Sequence, residues 1–222
     1  AVFASDRRGR LYTGVYREGT HQVVPVDNCL IEDERADAII ATVRKLAGEF
    51  HYQAYDEDRR TGFLRHVMVR AGKRELMLIL VTATAEFPAK NAFLKALLKA
   101  QPDLTTVVQN VNDRNTSMVL GKRDVVLFGK GFIEDTLCGL VFRVSPQSFY
   151  QVNSAQTEVL YGLVRDMAEL HGNETVLDAY CGVGTIGLTL ADRCKRLIGV
   201  ELNPQAVRDA QGNARRNSLA NA

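Results

Sequence analysis

Val176-Leu-Asp178-Ala-Tyr180-Cys181-Gly182-Val-Gly184-Thr185-Ile-Gly187, followed by Gly199-Val-Glu201-Leu-Asn203-Pro204, decides how this chain is read. A short apolar run closes on an acid, and three glycines follow at G-x-G-x-x-G spacing. A helical stretch intervenes, and a second apolar run closes on another acid. That order predicts strand, tight turn, helix, strand. The glycines permit a sharp turn and close backbone approach to a ligand. A helix opening near Thr185 would aim its positive end at a phosphate or carboxylate. Glu201, at the carboxyl end of its strand, can accept both hydroxyl protons of a ribose. Asn203 and Pro204 supply an N-cap and a first-turn proline for the next helix.

By itself the glycine spacing also fits a purely structural strand-to-helix turn. Ribose recognition fits both NAD and S-adenosylmethionine, so an NAD-dependent oxidoreductase stays open at this point. An acid closing the strand just before the glycines, here Asp178, is more typical of methyltransferases. A non-catalytic RNA-binding module that retains such a turn is a further alternative.

The surrounding composition is that of an ordinary globular chain, with 46% hydrophobic and 24% charged residues among 222. A net charge of +2 does not by itself imply nucleic-acid binding. No run approaches the roughly 18 apolar residues of a membrane span. The opening residues lack the pattern of a secretory signal, so a cytoplasmic location is expected. Cys29, Cys138, Cys181 and Cys194 form no C-x-x-C pair, which argues against a metal or iron-sulfur site within the chain.

Working toward the amino terminus, residues 11–29 alternate like strands. Ala36, Ile39, Ile40, Val43, Leu46, Ala47 and Phe50 recur on one helical face behind an Asp33 cap. Strands are expected at 62–70 and 75–82, the second apolar at consecutive positions as in a strand covered on both faces. A helix over 89–100 stops before Pro102, and short strands are expected at 105–111, 125–128 and 140–144. Ser145-Pro146 reads as a boundary. Beyond it, Asn153-Ser-Ala-Gln156 resembles a capping box opening a helix with Ala155, Val159, Leu160, Leu163, Val164 and Met167 on one face. The expectation is an α+β domain over 1–145 and the start of an α/β, Rossmann-like domain over 146–222.

Several ordered motifs then carry a resemblance across nearly the whole chain: Gly62-Phe-Leu-Arg65-His66, Gln109-Asn-Val-Asn-Asp-Arg-Asn115, Leu120-Gly121, Ser145-Pro-Gln-Ser-Phe-Tyr-Gln151-Val-Asn153, and the 178–187 and 199–201 segments. Together they resemble the RNA uracil-5-methyltransferase family, in particular its bacterial 23S ribosomal RNA members. The resemblance implies an S-adenosylmethionine-dependent methyltransferase domain, that cofactor as methyl donor and C5 of a uridine in RNA as acceptor. It implies cofactor contacts at Gln151, Tyr180 and Glu201, with Gly182 and Gly184 shaping the turn.

It also implies a cysteine thiolate that adds to C6, so that the enolate attacks the sulfonium methyl before a base removes the C5 proton. In the family that nucleophile lies beyond the second βα unit. No catalytic residue is therefore assigned within this chain, and the isolated chain is expected not to methylate RNA. Cys181 matches a non-nucleophilic position of the motif.

The densest basic segment is 59–74. In a regular strand Arg65 shares a face with Phe63, Val67 and Val69, an awkward place for a solvated cation. Arg65 and His66, with Lys130 between two glycines, are the expected RNA contacts.

Overall fold

A computed structural model describes residues 1–6 and 8–222. The chain forms two compact units, 1–71 with 75–131, and 72–74 with 132–222.

Among the described residues the first unit is a seven-stranded sheet in the order β3-β2-β1-β4-β5-β6-β7. The strands are β1 (Val2–Ser5), β2 (Leu11–Tyr16), β3 (Val23–Pro25), β4 (Leu64–Ala71), β5 (Leu76–Thr82), β6 (Leu104–Val111) and β7 (Arg123–Phe128). Neighbours are antiparallel except β5 and β6, which run parallel and are joined by helix α2 (Lys90–Ala100). Every residue of β5 is buried, as its continuous apolar pattern predicts. Helix α1 (Glu34–Glu49) opens on Asp33, whose carboxylate accepts from the Arg35 amide, and buries Ala36, Ile39, Val43, Leu46 and Ala47. Ile39, Val43, Leu46 and Ala47 share a core with Val67, Leu78, Leu80, Phe93 and Leu97.

The pairing of β4 with β5 slips between Leu64 and His66, so that Arg65 is the extra residue of a β-bulge. The strict alternation assumed from sequence therefore breaks at Arg65, and residues 63–67 are all buried.

The second unit begins with an antiparallel hairpin, β8 (Ile133–Leu137) and β9 (Leu140–Val144), turned by Cys138 and Gly139, both at positive φ. Leu137 and Phe142 bury against Tyr161, Leu188 and Leu197. That shared core places the compact division before Phe132, whereas Ser145-Pro146 lies within the second unit. Neither β1 nor β8 is among the strands expected from sequence. The Ile133, Leu137 alternation before Gly139 is the signal that could have revealed β8.

Helix α3 (Ser154–Met167) starts on Asn153, which accepts from the Gln156 amide. It buries Thr157 and Tyr161, while Val159, Leu160, Leu163 and Met167 are exposed, so the apolar stripe read from sequence is not its buried face. Then come β10 (Thr175–Ala179), α4 (Thr185–Leu190), β11 (Arg196–Val200) and α5 (Pro204–Arg216). β10 and β11 run parallel with Asp178 opposite Gly199, a βαβ unit of mixed α/β architecture. No helix among the described residues is long and apolar enough to cross a membrane.

Candidate functional site

The carboxyl ends of β10 and β11 bring the quoted motif together. Each glycine has its own physical reason. Gly182 turns at φ +56, and a Cβ there would meet nothing within 4 Å, so open space lies over the turn. Gly184 also needs a positive φ, +86, and packs against Leu188. Gly187 could bear no side chain, because its Cβ would lie 2.7 Å from the Asp178 carboxylate. Its amide donates to that carboxylate at 2.8 Å, which locks β10 to α4. Burial nonetheless raises the Asp178 pKa above the ordinary carboxylate value, against the opposing pull of that amide. At six residues α4 is too short to make its amino terminus an anion site.

Glu201 stands differently. One carboxylate oxygen accepts from the Gly182 amide at 3.1 Å and the other from the Asn203 amide at 2.7 Å. The Asn203 amide, ahead of that of Gly182, holds its pKa below the usual range, so it is anionic at neutral pH. Each oxygen retains acceptor capacity toward solvent. Tyr180 sits beside it at φ +62, a region that non-glycine residues rarely adopt, and the residue is 93% exposed. A strained backbone presenting a bare aromatic ring points toward a ligand rather than a core.

Gln151, half-buried, lies on the segment between β9 and α3. This segment is held from below by α5. Asp209, 4% exposed, accepts from the hydroxyls of Ser145 (2.9 Å) and Ser148 (3.2 Å). One turn later Asn213, fully buried, donates to the Val183 carbonyl in the glycine turn at 3.0 Å and accepts from the Arg143 amide at 2.8 Å. Two side chains of one helix thus fix both the Gln151 segment and the glycine turn. Sequence reasoning missed this pair. Its signal, two polar residues among Ala206 and Ala214 on the inner face of α5, is faint.

Cys181 is half-buried, with Sγ 3.8 Å from the Gly182 carbonyl and packed where a Cβ on Gly199 would stand. Burial, then the Asp178 and Glu201 charges, raise its pKa, the reverse of an activated thiol. Burial also raises the Cys138 and Cys194 thiols. Among the described residues no cluster of His, Cys, Asp or Glu is placed to hold a metal ion.

The expected RNA contacts lie elsewhere, in the first unit, and the structure corrects the role read for Arg65. Its side chain is 1% exposed. Nη2 donates to both carboxylate oxygens of Glu57 at 2.8 and 2.9 Å, and Nη1 to the carbonyls of Asn112 and Arg114 at 2.8 and 2.9 Å. The guanidinium also lies 4.6 Å from the centre of the Tyr55 ring. Arg65 is an internal counter-ion, not a cation displayed to a phosphate. His66 is 7% exposed, and burial, with Arg65 beside it, lowers its pKa to about 4, so it is neutral at pH 7. Lys130 pairs with Glu75 at 2.9 Å.

The 109–121 motifs prove to be scaffolding. Asn110 donates to the Gly121 carbonyl (3.1 Å) and accepts from its amide (2.7 Å), while Gln109 holds Thr82 and Thr84. Their backbone supplies the carbonyls that receive Arg65.

A family model described as tRNA (uracil-5-)-methyltransferase matches residues 88–222. A Bacillus cereus protein named an uncharacterized RNA methyltransferase is 43% identical over 219 residues, covering 98% of this chain and 48% of the relative. A Halalkalibacterium halodurans protein of the same description is 44% identical over 222 residues, covering 99% and 48%. The chain spans about half the length of these curated relatives. Among solved structures, Pyrococcus abyssi tRNA (uracil-54, C5)-methyltransferase in complex with S-adenosyl-L-homocysteine superposes with a TM-score of 0.79 at 26% identity, covering 99% of this chain and 52% of that one.

Proposed function

Because the chain belongs to the tRNA (uracil-5-)-methyltransferase family, we propose that its second unit holds S-adenosylmethionine for methyl transfer to C5 of a uridine in RNA. The observation that carries the reading is the Glu201 carboxylate, fixed by two backbone amides beside the bare Tyr180 ring. The residues present fit the group. Glu201 accepts the ribose hydroxyls through its remaining lone pairs. Tyr180 offers an aromatic face, and the open space over Gly182 admits close approach. Gln151 supplies an amide toward the amino-acid end.

When bound, the cofactor supplies an electrophilic sulfonium methyl. The chain's own part is to hold and orient: Asp178 fixes the turn, and Asp209 and Asn213 keep the Gln151 segment and the turn in register. Cys181 takes no part as nucleophile.

The acceptor is an RNA uridine. The sequence resemblance favours 23S ribosomal RNA, while the likeness to a transfer RNA U54 enzyme favours transfer RNA as a second reading. The first unit serves RNA contact and the second the cofactor. Calorimetric titration of the chain with S-adenosylhomocysteine tests the cofactor half. Binding that NAD does not displace is expected, and NAD binding in its place would return the turn to a dehydrogenase reading.

A further inference from the structure

We propose that the first unit receives the RNA phosphate backbone in a basic cleft assembled from cations far apart in sequence, away from Arg65, His66 and Lys130. The cleft, about 880 Å³, is lined by Arg8 and Arg10 from the β1–β2 connection, Arg44 and Lys45 from α1, His51 just beyond α1, and Arg59 ahead of β4. Asp56 is the only carboxylate among its described lining residues.

The cations facing it are available. The side chains of Arg10, Lys45 and Arg59 are 85%, 78% and 83% exposed. Their ion pairs, with Asp6 at 3.2 Å, Glu49 at 3.9 Å and Asp56 at 3.8 Å, are solvent-screened and easily exchanged for phosphate oxygens. Arg44 is different. Its side chain is 26% exposed and pairs with Asp27 at 2.6 Å. A polar cleft with exposed cations around a less exposed one suits a charged backbone. The inference rests on the RNA-substrate reading above and adds where the strand lies.

The test is fluorescence anisotropy of a labelled single-stranded, uridine-containing RNA with the 222-residue chain over a salt series. The Arg10→Ala/Lys45→Ala/Arg59→Ala variant should bind at least about tenfold more weakly at low salt. Its log affinity against log salt should flatten by roughly 2, at about 0.7 per lost contact on a single strand. The charge-keeping Arg10→Lys/Lys45→Arg/Arg59→Lys variant should keep the parental slope. Lys45→Glu, a single exposed change on α1, should weaken binding in the same direction and guards against misfolding of the triple variant. Parental affinity and slope in the triple-alanine variant, with the parent binding RNA, would overturn the cleft and leave the RNA reading standing. Absence of RNA binding by the parent would overturn both.

Discussion

Arg65 in the first unit and Glu201 in the second are both charged residues at the end of a strand with two or more fixed hydrogen-bond partners, yet they are put to opposite uses. Arg65 is 1% exposed, and its terminal nitrogens are answered by Glu57 and two backbone carbonyls. Its Nε has no partner at all. Glu201, half-buried, is held by two amides that stiffen it while each oxygen keeps further acceptor capacity. A charge whose partners surround it stabilises a fold. A charge whose partners stand on one side is oriented toward whatever occupies the other. Residue type does not separate the two cases, and the geometry of the partners does.

The contrast breaks most sharply at Glu57. Glu57→Ala leaves a buried guanidinium without its counter-ion and should destabilise the chain by about 3 kcal/mol, read from urea unfolding. An unchanged midpoint would mean that Arg65 is not an internal counter-ion. In the second unit, Glu201→Ala should lower S-adenosylhomocysteine affinity by about tenfold to a hundredfold in calorimetry while barely moving the thermal midpoint. A large fall in the midpoint with affinity retained would make Glu201 structural, like Arg65.

Between these extremes stands Asp209, buried as Arg65 is but placed under the site. Asp209→Ala leaves the Ser145 and Ser148 hydroxyls without their acceptor and should cost about 1–2 kcal/mol. Ligand affinity should weaken because the Gln151 segment loosens. Stability loss without any change in affinity would remove its positioning role.

A fourth test concerns pH dependence. The pKa of His66 falls from 6.5 unfolded to about 4 folded, so below pH 6.5 the unfolded chain takes up a proton that the folded chain refuses. Stability from this residue is fully present above pH 6.5 and is lost as pH falls toward 4. His66→Gln should flatten the pH dependence of the unfolding midpoint across that window, and an unaltered slope would show that His66 does not titrate there.

Much of the second unit was legible in the sequence because its signals are short-range. Asn153 and Asn203 cap the helices expected of them, and Gly182 and Gly184 take the positive φ values that only a turn requires. Asp178 and Glu201 close or directly follow their strands. In the first unit the consecutive apolar residues of β5 correctly marked a strand covered on both faces. Arg65 was rightly placed beside buried neighbours, but it was misread as an RNA contact because the groups that answer its charge, Glu57 and the carbonyls of Asn112 and Arg114, lie on other segments that only the folded chain brings to it. The α3 stripe was misassigned for a related reason. Periodicity says which residues share a face, but not what packs against it.

By itself the sequence determined the strand–turn–helix–strand unit, its caps and the two acids that end its strands, since each depends on backbone torsions and neighbours within a few residues. Only the tertiary structure decided which charges are enclosed and which are offered. Arg65 meets carbonyls at Asn112 and Arg114, and Asp209 meets Ser145, only after sheet register and helix packing bring distant segments together. The same long-range packing gathers Arg8, Arg10, Lys45 and Arg59 around one cleft, an arrangement no local pattern encodes.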